Sequence, residues 1–414
     1  MDKKKKLSFS VTFLLVTVLL FFSAVGFLFQ NVQKNVECSK IVDNYFINKA
    51  CLDACPSQRK VVRLSNGTMF TTYYTRELDW GFYVGTVKIS RSIDNGKTWV
   101  QFSDRCDIIG NYGNYDPCLV VDGNDNLYFA FARGTGASQG LQYKIWNKTT
   151  GWSVLYNLTR EKATEDVVMV VNKSDAVYFF WYDNQTNPPM FNERFCYLYK
   201  GEISEIYNIT TLSNTSSMFL SGTVDSNDII HLTWFEDIMR CIDYVNITGE
   251  NTVGHIRHIQ NPGFAFLQTA PCITSDLNNN IQISWVGLFD GSGYDRYIRF
   301  IEFCQKNNTW TNIMNVSVIT TDYLTYPYPS TTVDQDNVYY IVFGGVDGEH
   351  YISRKNEVWS EITKITNNFL TTNNHVLYAR HPFWMMNKNG FSVIYWNSTG
   401  TIDYFDMNGV DVCG

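Results

Sequence analysis

The chain has 414 residues, 16% of them aromatic and only 18% charged, with 26 Tyr and 28 Phe against 9 Pro. That profile supplies material for a large core and excludes a disordered chain. A formal net charge of -7, with no basic patch beyond the first residues, excludes the electropositive face that a nucleic-acid binder presents.

In chain order, residues 1–6 form a lysine-rich tail, and residues 7–30 form an uncharged stretch containing LLVTVLLFFSAVGFLF. About 20 apolar residues cross a bilayer as a helix, and lysine clusters stay on the cytoplasmic side. The expectation is a transmembrane signal-anchor helix, single-pass, with everything beyond it outside a cell or virion. A signal peptide cleaved near Ala24 or Gly26, giving a secreted protein, is the alternative, but the apolar run exceeds the usual signal core of about 7–15 residues. Ten cysteines suit an oxidising compartment and disulfides. Cys413 joined to Cys38, Cys51 or Cys55 would tie the two ends together, although pairings are not readable from sequence. Sequons at Asn66, Asn147, Asn157, Asn172, Asn184, Asn208, Asn214, Asn246, Asn307, Asn315 and Asn397 suit a glycosylated surface.

Residues 31–57 read as an extracellular linker, and residues 58–414 as a chain of similar units. Each unit opens with an apolar strand, a polar turn and a second apolar strand, as in PCLVVDGNDNLYFAFAR from Pro117 and VVMVVNKSDAVYFFWYD from Val167. Seven such hairpins recur about 50 to 57 residues apart, a propeller-like period. Pro117, Pro271, Pro329 and Pro382 stand five residues before Asp122, Asp276, Asp334 and Asn387, which reads as proline at the first residue of a strand. Two further strands per unit, several carrying a Trp such as Trp152, Trp310 or Trp359, make a four-stranded antiparallel blade. The last unit is one strand short, and SKIVDNYFIN at 39–48 can supply it. The expected fold is all-β, a seven-bladed β-propeller, with six blades as the alternative.

In the first unit, SRSIDNGKTW at 90–99 sets a turn at Asp94-Asn95-Gly96 between strand-favouring flanks. Ser92, Asp94, Gly96, Thr98 and Trp99 fit S-x-D-x-G-x-T-W, and here the chain resembles the Asp-box, or BNR-repeat, propellers best known from sialidases. The resemblance implies a stabilising role for these residues, in the turn between third and fourth strands, on the face opposite an active site.

The other face gathers the residues entering first strands and leaving second strands. Arg59, Tyr115, Asp116, Glu165, Asp166, Tyr328, Arg380 and His381 are the candidate ligand-binding residues there, and loops held by rigid blades carry function. The sialidase resemblance implies three arginines for a substrate carboxylate, a Tyr nucleophile with a Glu, and an Asp acid/base. Arg76 and Asp79 resemble the arginine and acid after the first hairpin, and Tyr378 to Pro382 resembles the family's arginine entry motif with one residue inserted. A Tyr328/His381 pair would suit a polysaccharide lyase, and Asp116 with Asp166 a glycosidase, which needs two carboxyls about 5–9.5 Å apart. Residues 122–126, DGNDN, read as a hairpin turn. No metal is assigned, since His255 and His258, three apart on a strand, face opposite sides. No phosphate loop or G-x-S-x-G turn is present, and no cofactor is expected. The favoured reading is a surface protein that attaches to carbohydrate or glycoprotein. A glycoside-cleaving enzyme, sialidase-like or lyase-like, is the alternative, and a structural surface or virion component the second alternative.

Overall fold

The computed structural model describes residues 39–40, 50–51, 61–79, 82–102, 114–133, 140–159, 164–184, 191–210, 217–236, 239–259, 268–288, 295–320, 329–345, 348–364, 377–378, 392–396 and 402–406. Within the compact unit Cys38–Gly414 these residues form antiparallel sheets, seven among those described. The first stretch of 30 residues lies outside them, and among the described residues no helix is long and apolar enough to cross a membrane.

The second sheet shows the plan. Asn114–Val121, Leu127–Arg133 and Gly140–Asn147 pair in order, and the outer position is divided between Gly151–Trp152 and Tyr156–Asn157, both on the third strand. Sheets three to six repeat it, starting at Thr164–Val171, Ser217–Val224, Gln268–Ser275 and Ser330–Val333. In the first sheet Ala50–Cys51 and Val61–Arg63 share the inner position beside Met69–Asp79. In the seventh, Ser39–Lys40 pairs with Ile402–Asp406, Ser39 opposite Tyr404, so the chain's start supplies the outer strand.

Alternation along the strands gives the first six sheets two apolar faces, and the described cores lie between consecutive sheets. Phe70 and Ile89 of the first sheet pack with Leu119 and Phe129 of the second, and Ile242 and Tyr244 of the fourth with Ile283 and Trp285 of the fifth. The outer tryptophans reach back to the preceding sheet. Trp310 meets Tyr244 edge-on at 4.9 Å, and Trp359 meets Phe300 at 5.1 Å.

Pro117 and Pro271 stand inside their strands rather than first in them. The register shifts between Tyr115 and Cys118, and between Thr269 and Cys272, so each proline occupies a bulge. A bulge leaves a backbone N–H outside the ladder, which is why proline is accepted there. The third and fourth sheets carry the same bulge at Asp166-Val167 and Phe219-Leu220. In all four the bulge lies opposite a buried aromatic side chain: Phe131, Trp181, Trp234 or Trp285.

The turns between first and second strands follow one recipe. Asp122, Asn172, Asp225, Asp276 and Asp334 each accept the N–H groups two and four residues ahead at 2.8–3.0 Å. For Asp122, the carboxylate also takes Asn126 Nδ2 at 2.7 Å and the Tyr128 hydroxyl at 3.1 Å. The residue three places on is left-handed, with φ between 60 and 63 at Asp125, Asp175, Asp228, Asn279 and Asn337. Asp and Asn tolerate that conformation. Its side chain then reaches the preceding sheet, accepting N–H from Ser65, Gly123, Lys173, Ser226 and Leu277 in turn at 2.7–2.8 Å. Five such clasps join six consecutive sheets.

The S-x-D-x-G-x-T-W stretch is a self-bonded turn. Asp94 accepts the Ser92 hydroxyl at 2.8 Å, the Thr98 N–H at 2.9 Å and the Thr98 hydroxyl at 2.5 Å, while Trp99 Nε1 donates to Gly96 O at 2.9 Å. Thr98, above all, holds the Asp94 carboxyl down at about 2.

Cys118, Cys196, Cys241, Cys272 and Cys304 carry thiols rather than the expected disulfides. Four of the five are buried in strands, where a thiol packs as a small apolar group. Cys38, Cys55, Cys106, Cys413 and the side chain of Cys51 lie outside the described residues.

Candidate functional site

The turns with clasps occupy one end of the sheets, and the bulges mark the other, where second strands pass to third strands and one sheet to the next. At this second end a rank of equivalent residues crosses four sheets. Opposite Phe131, Trp181, Trp234 and Trp285 the third strands carry Gln142, Arg194, Asp243 and Arg299. Opposite those, the outer strands carry Asn157, Asn208, His258 and Asn315. Directly opposed residues share a face, so each sheet presents an aromatic, a polar and a second polar side chain in line.

The members are held differently. Gln142 Nε2 donates to Asn157 Oδ1 at 2.6 Å. Asp243 Oδ1 lies 2.7 Å from His258 Nδ1. Arg299, 1% exposed, lies over Gly287, where an added Cβ would come within 2.3 Å of its Nε. Glycine at that position makes the room the guanidinium needs. Burial holds Arg299 below the usual guanidinium range, and burial raises Asp243 although His258 opposes the shift.

Further acids are buried around the rank. Asp166 Oδ2 accepts the Phe219 N–H at 2.5 Å, joining the bulges of the third and fourth sheets. Glu193 takes the Thr210 hydroxyl at 2.5 Å, and Glu236 takes the Met239 N–H at 2.5 Å. Burying a charge costs several kcal/mol unless partners offset it, so five buried ionisable side chains at this end, Asp166, Glu193, Glu236, Asp243 and Arg299, depart from the apolar inter-sheet cores. Ionisable groups shifted by burial, as Asp243 and Arg299 are, are found where chemistry or binding is done.

The residues expected from the sequence are placed as follows. Arg76 and Asp79 belong to the strand Met69–Asp79, opposite Gly85 and Phe82, rather than to a loop leaving it. The ladder runs on to the two-residue connection because strand-favouring residues continue on both sides. Tyr115 pairs with Ala132, and Glu165 with Tyr182, just before the bulges, with Asp116 inside one. Asp166 is buried at a bulge with φ 54, its carboxylate turned to the next sheet. Arg59, Tyr328, Arg380 and His381 lie outside the described residues, as do the side chains of Arg76, Asp79, Tyr115, Asp116 and Glu165. The sequence reading missed Arg194, Glu193, Asp243 and Arg299, and it set His258 aside after pairing it with His255. The available signal was charge inside apolar strands, as in DRYIRFIEF at 295–303.

No protein-family model matches the chain, and no curated protein does. Solved structures do. Polysaccharide lyase Uly1 is similar at 9% identity and a TM-score of 0.52, over 86% of this chain and 91% of that one. The Penicillium chrysogenum α-L-arabinanase complexed with arabinobiose is similar at 12% identity and a TM-score of 0.50, over 91% and 99%. The intramolecular trans-sialidase from Ruminococcus gnavus, in complex with oseltamivir carboxylate, matches at 11% identity and a TM-score of 0.45, over 86% and 96%. At these identities the likeness is one of fold, the β-propeller, and activity has to be argued from the site.

Proposed function

We propose that the chain is a carbohydrate-active propeller that binds and cleaves an acidic glycan, as hydrolase or lyase. The observation that carries this reading is the rank at the bulged end, where Arg194 and Arg299 flank Asp243 beside buried Glu193 and Glu236. Arginine forks bind carboxylate or sulfate with two parallel hydrogen bonds, and carboxyl groups in a dry setting supply acid or base. The fold-level likeness to a polysaccharide lyase and an arabinanase supports cleavage over attachment, by analogy. In this reading the seven sheets are blades of a closed ring completed by Ser39–Lys40, and residues 7–30 anchor it to a membrane with the ring outside. The sialidase-like role of the S-x-D-x-G-x-T-W turn remains structural. Asn66 and Asn307, outside the rank, are exposed and available to carry glycans.

The test takes the compact unit Cys38–Gly414. It is incubated with uronate-containing polysaccharides and with a fluorogenic sialoside. New absorbance from an unsaturated uronate marks a lyase, and new reducing ends or fluorophore mark a hydrolase. Turnover is lost in Arg299→Ala and kept in Asp94→Ala. Glycan-array binding without any product would return the protein to attachment, and neither binding nor turnover would leave a structural surface component.

A further inference from the structure

In the fourth sheet the rank changes character. Where its neighbours pair glutamine, or an arginine, with asparagine, this sheet pairs Asp243 with His258, and two residues before Asp243 it places Cys241. Residues two apart on a strand share a face, so thiol, carboxylate and imidazole converge. Cys241 Sγ lies 3.3 Å from Asp243 Oδ1 and 4.0 Å from His258 Nδ1, with Nδ1 and Oδ1 2.7 Å apart. At the equivalent of Cys241 the second, third and fifth sheets have Gly140, Asn192 and Tyr297, and none of these is a thiol.

We propose that Cys241, Asp243 and His258 bind a zinc-type divalent cation through three protein ligands, with a fourth position open to solvent. Tetrahedral zinc with sulfur at about 2.3 Å and nitrogen or oxygen at about 2.0–2.1 Å sets ligand atoms about 3.3–3.6 Å apart. The three present separations bracket that range, and the adjustment needed, about 0.6 Å, is within a small rotation of His258. The His258 side chain is 45% exposed while that of Asp243 is 5% exposed, so the soft and hard ligands are anchored and the imidazole closes from outside. Glu236, buried at the end of the preceding strand, pairs across the ladder with Cys241 and places a carboxyl group beside the set. Sulfur, nitrogen and oxygen together suit zinc or cobalt rather than calcium or magnesium, which take oxygen. The thiol proton leaves to solvent as the metal–sulfur bond forms. The site shares Asp243 with the rank of the glycan reading but does not rest on that reading, and three ligands plus an open position match a zinc that polarises or activates a fourth partner rather than one that only braces the fold.

The full-length chain, stripped with chelator, is titrated with Co²⁺. Expected are a thiolate-to-cobalt charge-transfer band and intense visible bands of tetrahedral cobalt, both bleached by Zn²⁺. Cys241→Ser removes the charge-transfer band, Cys196→Ser leaves it, and His258→Gln weakens affinity at least about 10-fold. His258 stands on the surface, so its variant folds even if Cys241→Ser does not. Absence of a thiolate band in the unmodified chain, equal behaviour of the two cysteine variants, or unchanged affinity in His258→Gln would overturn the proposal.

Discussion

Replacing Asp175 by alanine isolates the clasp between the second and third sheets. Asp175 Oδ1 accepts the Gly123 N–H at 2.7 Å, Oδ2 accepts Asn124 Nδ2 at 2.8 Å, and the residue sits at φ 63. Each bond contributes about 0.5–1.5 kcal/mol net, and partial exposure puts the pair at about 1–2 kcal/mol. Alanine in the left-handed region costs about 1 kcal/mol more, so the loss is about 2–3 kcal/mol. Asp175→Gly keeps the backbone relaxed and loses only the bonds, and Asp175→Asn keeps an acceptor for Gly123 and loses less than about 1 kcal/mol. The order of destabilisation is therefore alanine, glycine, asparagine. Urea unfolding of Cys38–Gly414, followed by tryptophan fluorescence, measures it as shifts in midpoint. An alanine variant within about 0.5 kcal/mol of the original, or an asparagine variant as weak as alanine, would refute the clasp as a source of stability.

Asp94→Ala destabilises at neutral pH by about 1 kcal/mol or less once solvent screening of this exposed turn is counted. The folded carboxyl is depressed to about 2 from 3.8, so its contribution is full above about pH 4 and is lost as pH falls through about 2. The difference between variant and original, measured by denaturant titration at several pH values, must vanish at the acid end. Gly287→Ala costs about 1–3 kcal/mol because its Cβ would meet Arg299 Nε at 2.3 Å, and the same change costs far less in an Arg299→Ala background, as a double-mutant thermal series would show. Trp234→Ala removes a side chain 1% exposed opposite the fourth-sheet bulge and costs about 3–5 kcal/mol in urea unfolding.

Repetition made the fold legible. Hairpins with an Asp or Asn at the same turn position, and an unmatched last unit, are visible in a string of letters because backbone chemistry at turns depends on single residues. The prolines misled for a physical reason: a missing N–H fits a bulge as well as a strand end, and only the register of the partner strand distinguishes them. The site was less legible because its members are far apart in sequence and meet only through strand pairing. His258 was compared with His255, its neighbour in the chain, although its partners lie across a hairpin at Asp243 and Cys241. Likewise Asp166 reads as an acid at a loop mouth, while its carboxylate is spent on the Phe219 N–H.

The clasps run one way, each sheet lending a side chain to the turn of the sheet before it. At the first sheet the lending position is Gly67, with φ 87, and in the last repeat the sequence again places a glycine, Gly390. A hydrogen atom lends nothing, so the first sheet receives this tie from the second and has no side chain at Gly67 to give one. The run of ties thus ends at the first sheet, where a pull on Val61–Arg63 passes to a single clasp, Asp125 to Ser65.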